Sequence, residues 1–195
     1  MIVRLENVYQ EMETAYDQTA KLLQFSCEGC PDNCCDSYFQ HHTYIEWCYL
    51  WVGISKLQDD EQKIIITRAQ KYLIEVETAM SRGERPQAMC PLNNDGLCMV
   101  YKYRLMVCRT HGVPAVITRP DGQKLSFPGC FRCQERVGEN ENPPYVERTP
   151  MLRQLALLEN ELLQNNRHLY PRVKLTIAQM LVKGPPALPR TVCQK

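Results

Sequence analysis

Nine cysteines in three groups are the residues of this chain best suited to do chemistry. Cys27, Cys30, Cys34 and Cys35 make a Cys-x2-Cys-x3-Cys-Cys run. Cys90, Cys98 and Cys108 follow at wider spacing, and Cys130 and Cys133 form a second Cys-x2-Cys. A two-residue gap lets two sulfurs of one turn reach the same metal ion or cluster. Thiolates are soft ligands, which select zinc, copper(I) or iron–sulfur clusters over magnesium, calcium or manganese. All nine are therefore candidate metal ligands. Adjacent side chains in extended backbone point to opposite faces. Cys34 and Cys35 are thus expected to serve two different centres, or one ligates and the other does not. Nine thiols supply two four-thiolate centres with one to spare, or one centre with bystanders, and the spacing leaves both open.

The redox setting supports metal over disulfides. The opening MIVRLENVYQEMETAYD has no continuous apolar stretch of the kind a secretory signal needs. The expected location is the cytoplasm, where disulfides are rare and clustered cysteines bind metal or do redox work. The total of eleven cysteines is odd, which fits a fully paired scaffold poorly. Cys48, between Trp47 and Leu50, reads as a buried core thiol, and Cys193 as a free thiol in the tail. A redox dithiol at Cys130 and Cys133, assisted by Arg132, is a lesser alternative. His41 and His42 read as surface histidines; His111, three residues after Cys108, is only a lesser candidate to replace a thiol as ligand.

Helices must position these loops. Ile2, Leu5, Val8, Met12, Tyr16, Ala20 and Leu23 recur at helical spacing over residues 2–24. Residues 25–36, made of cysteines and turn formers, form a loop. Thr43 and Glu46 make a capping box for a helix over 43–57, and Asp59 or Asp60 caps another near 60–82. Residues 90–110 hold three cysteines around a short helical piece, 99–107. Residues 115–127 read as a hairpin turning at Pro120-Asp121-Gly122. Thr149-Pro150 opens a helix to about 168 on Leu152, Leu155, Leu158, Leu162 and Leu163, which docks onto the protein's own core. A short helix covers 176–183. The fold class is mainly α: a helical single domain with an irregular cysteine-rich metal-binding core and one short β-hairpin. Its expected divisions are a cysteine-cluster domain at 1–137, a polar linker at 138–150, a C-terminal helical segment at 151–184 and a loose tail at 185–195.

The chain has 195 residues, 44% of them apolar, and 23 basic against 22 acidic side chains give a net charge of +1. A globally basic nucleic-acid coat is excluded, and the balance argues against nucleic acid as a partner. No stretch approaches the ~20 apolar residues of a membrane helix, so no membrane partner is expected. Around the later cysteines the balance differs. Lys102, Arg104, Arg109, Arg119, Lys124, Arg132 and Arg136 face only Asp95, Asp121 and Glu135. Such a basic setting offsets an anionic four-thiolate centre and tunes its potential, or is an ordinary solvated surface. The spread of the middle cysteines, the prolines after Cys30 and Cys90, and the scarcity of histidines lean to iron–sulfur, most simply [4Fe–4S], with zinc the alternative.

CEGCPDNCC at 27–35 and CPLNNDGLCMVYKYRLMVCR at 90–109 resemble the YkgJ-type cysteine-cluster family, described as a zinc- or iron-chelating domain. The shared pattern falls on the first four cysteines and on Cys90, Pro91, Leu92, Asp95, Gly96, Cys98, Tyr101, Arg104, Cys108 and Arg109. It covers roughly residues 24–112. The chain has Arg104-Leu105 where the family commonly has Arg-Pro, so the backbone N–H is kept and helix can continue. Cys130 and Cys133 lie beyond the pattern. The resemblance implies a metal-binding domain. The cysteine-cluster part of flagellin lysine methylase is a larger, more distant likeness, which implies methyl transfer as one activity.

Three functions follow as expectations. The first is an iron–sulfur protein with a redox or electron-transfer role. The second is a structural zinc module whose C-terminal helix meets a protein partner. The third is a component of a methyltransferase-like activity.

Overall fold

The computed structural model describes residues 1–28, 30 and 34–188. It is mainly α, with seven α-helices among the described residues. The chain forms two compact units, each from two segments: Met1–Asp32 with Met106–Glu161, and Asn33–Leu105 with Leu162–Lys195. They are called the first and second unit below. The division falls elsewhere than the expected one at 137 and 151.

In the first unit, α1 (Ile2–Leu22) buries Leu5, Val8, Tyr9, Met12 and Ala20, the apolar stripe that its period requires. Helix α4 (Met106–Thr110) packs against it. Arg109 of α4, with a side chain only 6% exposed, hydrogen-bonds Glu13 and lies 4.5 Å over the Tyr9 ring. Strands β3 (Ala115–Thr118) and β4 (Lys124–Phe127) form the expected hairpin, with Ala115 opposite Phe127. Gly122 at φ +84° supplies the turn. Helix α5 (Phe131–Val137) follows. A third strand, β5 (Val146–Glu147), pairs parallel to β3 inside the stretch read as linker. Its signal is two residues long, too short for any periodicity to reveal. Helix α6 (Thr149–Leu162) buries Leu155 and Leu158.

In the second unit, α2 (Tyr44–Ile54) is buried almost all round. The Glu46 N–H donates to Thr43 Oγ1 (3.3 Å), the N-cap half of the expected capping box, but Glu46 Oε2 accepts from the Thr43 hydroxyl (2.8 Å) and not from its backbone N–H. Helix α3 (Asp59–Ser81) packs against α7 (Ile177–Lys183). Trp47 and Trp51 donate their indole N–H groups to Gly184 O (2.9 Å) and Met180 O (3.3 Å). They tie α2 to the C-terminal segment rather than stacking on a ligand. The helical piece expected at 99–107 is broken into a 3-10 turn and the start of α4, and a hairpin precedes it. Strands β1 (Asn93–Asn94) and β2 (Leu97–Cys98) make a second hairpin, with Asp95 at φ +49° and Gly96 at φ +88°. A 3-10 turn, Tyr101–Tyr103, follows. Helix α6 likewise stops at Leu162 and not near 168, because Gln164 and Asn165 adopt φ +52° and +60° and reverse the chain.

Candidate functional site

The unit boundary falls inside the first cysteine run. Cys27 and Cys30, with Cys108, Cys130 and Cys133, belong to the first unit. Cys34, Cys35, Cys90 and Cys98 belong to the second. All nine are reduced.

In the second unit, a 3-10 turn carries Cys34 and Cys35. Ser37 bridges Gln87, and the Cys90 N–H donates to Cys35 O at 2.9 Å, so the two cysteine segments run side by side. The Asn93 N–H returns to Cys90 O at 2.9 Å, and the β1–β2 register sets Cys98 opposite Asn93. Asn93 is central to this site. Its Oδ1 accepts from the Gly96 N–H (3.1 Å), which closes the tight turn, and Arg68 donates to its backbone O (3.0 Å). Its Nδ2 is buried and makes no hydrogen bond of full geometry; the Cys35 sulfur is the acceptor it faces. The Cys34 hydrogen bond, the Asn93 amide and the Arg104 charge together pull the Cys35 thiol down to about 6, against the opposing effect of burial. Burial pushes Cys98 up, and Arg104 opposes that shift too. Arg104 is held in place by its Nε bond to Tyr101 O (3.2 Å) and by the Tyr101 ring at 3.6 Å. Tyr72 of α3 is raised to about 12 by burial, then by the Cys90 charge.

In the first unit, the end of α1 turns back at Gln24 (φ +49°) and leads into Cys27. Tyr16 Oη lies 3.9 Å from Cys27 Sγ. The Cys130 N–H donates to Gly112 O at 2.9 Å, and Gly112 itself lies under the Tyr16 hydroxyl. Cys130 caps α5 and Cys133 occupies its first turn. Arg136, one turn on, donates to Leu23 O (3.2 Å) and Gln24 Oε1 (2.7 Å). That pair of bonds holds α5 against the end of α1. Cys133 is shielded from solvent, though at shallow depth; burial, then the Cys130 and Cys27 charges, push its thiol up to about 11. Its own burial, then the Cys27, Cys130 and Cys133 thiols, raise the Tyr16 phenol.

Cys30, whose N–H donates to Cys27 O at 3.1 Å, is half-buried in the turn after Cys27, and Cys108 sits half-buried in α4 of the same unit. Among the described residues, no three His, Cys, Asp or Glu side chains are closed around a point that could hold a metal ion. Cys48 is fully buried, as expected, but disulfide-bonded and not a free core thiol. Cys193 lies outside the described residues. His41 is not a surface residue: it is 2% exposed, with both ring nitrogens lacking hydrogen-bond partners. Its backbone pairs with Leu175, a contact across more than 130 residues that local polarity cannot reveal. Asn93 and Tyr16 were missed by sequence reasoning, since neither an isolated asparagine nor a helix tyrosine carries a ligand signal.

Among the described residues no helix is long and apolar enough to cross a membrane. No family model, curated protein or solved structure matches the chain.

Proposed function

We propose that this chain is a metal-binding protein with two thiolate-ligated centres, one in each unit, of the iron–sulfur type and with a redox role. One observation carries the reading. Each unit holds at least four reduced cysteines of its own: Cys34, Cys35, Cys90 and Cys98 in one, and Cys27, Cys30, Cys108, Cys130 and Cys133 in the other. Four is the number a thiolate centre needs.

The surrounding groups fit that donor set. The buried Nδ2 of Asn93 faces the Cys35 sulfur and favours its thiolate form, and a metal-held thiolate there is the acceptor it suits. Tyr16 stands in the same relation to Cys27. Arg104 offsets negative charge at Cys35 and Cys98. Bound iron–sulfur supplies one-electron exchange. Cys27 and Cys34 are exposed and so accessible to metal, whose binding energy would add to the folding energy. The likeness of residues 24–112 to the YkgJ-type pattern points the same way.

The test is metal and sulfide analysis with an absorption spectrum on protein purified without oxygen. Iron with matching acid-labile sulfide, and broad absorption near about 400 nm that bleaches with dithionite, is the expected result. A colourless protein carrying zinc would overturn the redox role and leave a structural thiolate module. A metal-free protein would overturn the reading altogether.

A further inference from the structure

The charge of this chain is segregated along its length. After Glu161 there is no Asp or Glu, while Arg167, Arg172, Lys174, Lys183, Arg190 and Lys195 are all basic. The overall +1 is thus −5 up to Glu161 and +6 beyond it. A whole-chain balance hides such asymmetry, which is the electrostatic mark of a polyanionic partner.

The described part of this segment builds a groove. Asn165, Arg167, His168, Tyr170 and Arg172 line a space of about 690 Å³ in the second unit, with no carboxylate among them. Its shape is set from beneath. Gln164 and Asn165, both at positive φ, turn the chain away from α6, and a 3-10 turn at Arg167–Leu169 follows. Leu175 exchanges backbone hydrogen bonds with His41 at 2.8 and 3.1 Å, which anchors the exit. Arg167 Nη1 donates to Tyr170 O at 2.9 Å. Tyr44 donates to Pro171 O at 3.1 Å, and its ring meets the Tyr170 ring edge-on at 5.7 Å. His168 and Arg172 of the groove are exposed, and so is Lys174, two residues beyond Arg172.

We propose that this groove binds single-stranded nucleic acid, with Arg167, Arg172 and Lys174 meeting successive phosphates and Tyr170 and His168 offering ring faces to the bases. Guanidinium forks suit phosphate oxygens. Base stacking on flat side chains beside a basic track is the general chemistry of single-strand recognition. An anionic membrane would be drawn by the same positive charge, but the aromatic side chains in the groove favour stacked bases. The inference does not depend on the thiol sites.

The experiment is fluorescence anisotropy of the full chain with a labelled oligouridine of about 15 nucleotides. Each phosphate contact contributes a salt slope of about −0.7 for a single strand. The expected result is saturable binding at low salt that weakens steeply as salt rises. Arg172→Glu with Lys174→Glu should weaken it at least about tenfold, two charge reversals removing two phosphate contacts. Both side chains are exposed, so circular dichroism should stay unchanged. Absence of saturable binding at low salt would overturn the proposal. So would equal binding by the double variant, equal binding of a duplex of the same length, or tighter binding to phosphatidylserine vesicles than to the oligonucleotide.

Discussion

The phenolic oxygen of Tyr16 stands 3.9 Å from the sulfur of Cys27 and directly over the α-carbon of Gly112. A Cβ at position 112 would lie 2.5 Å from that oxygen, in a backbone at φ +128°. The carbonyl of the same glycine accepts the Cys130 N–H. One glycine therefore connects the tyrosine, the first cysteine pair and the last.

Gly112→Ala should destabilise the protein by about 1–3 kcal/mol, from backbone strain and the clash together. In a Tyr16→Phe background the loss should be smaller, because the oxygen is gone and only the strain remains. Urea denaturation of the four proteins checks this. Equal losses in both backgrounds would show that the hydroxyl is not what Gly112 accommodates.

The two cysteine sets should titrate as separate sites. Cys98→Ser in the second unit, and Cys130→Ser with Cys133→Ser in the first, should each remove about half of the bound metal, because each leaves its own unit with three thiols and the other unit's set complete. All three substitutions together should leave almost none. Elemental analysis per folded chain decides it; loss of all metal on changing either unit alone would mean one shared centre.

Gly53 faces the Tyr103 ring so closely that a Cβ there would lie 2.5 Å from its Cγ. The ring cannot retreat. It packs 5.1 Å from Tyr49, and its hydroxyl is hydrogen-bonded to Lys56. Gly53→Ala should therefore cost about 1–3 kcal/mol as overpacking, despite the higher helix propensity of alanine. A thermal midpoint equal to or above that of the parent would contradict the close approach.

His41 gives the protein an acid sensitivity. Burial holds its pKa below the usual 6.5; the Glu46 charge opposes this and the His42 charge adds to it. The unfolded chain therefore binds the proton more readily than the folded one. Stability is unaffected above about pH 6.5 and falls as pH drops through and below that value. His41→Leu should remove this component, so its stability relative to the parent should improve progressively from pH 7 to pH 5. A pH-independent difference would refute the assignment.

What the sequence determined by itself was local. Helices α1, α2, α3 and α7 follow from apolar repeats and caps such as Thr43 with Glu46, because their hydrogen bonds join residues four apart. The Pro120-Asp121-Gly122 turn announces the β3–β4 hairpin for the same reason. The thiol inventory was equally legible, since ligand chemistry resides in residue type. Tertiary structure decided the rest. Whether Cys30 and Cys34 share a unit depends on which segments pack together, and segments from 1–32 and 106–161 meet only through contacts distant in sequence. The pairing of β5 with β3, the placing of Asn93 beside Cys35 and the burial of His41 against Leu175 are of the same kind. Each rests on a partner far along the chain, and no local pattern encodes the free energy of meeting it.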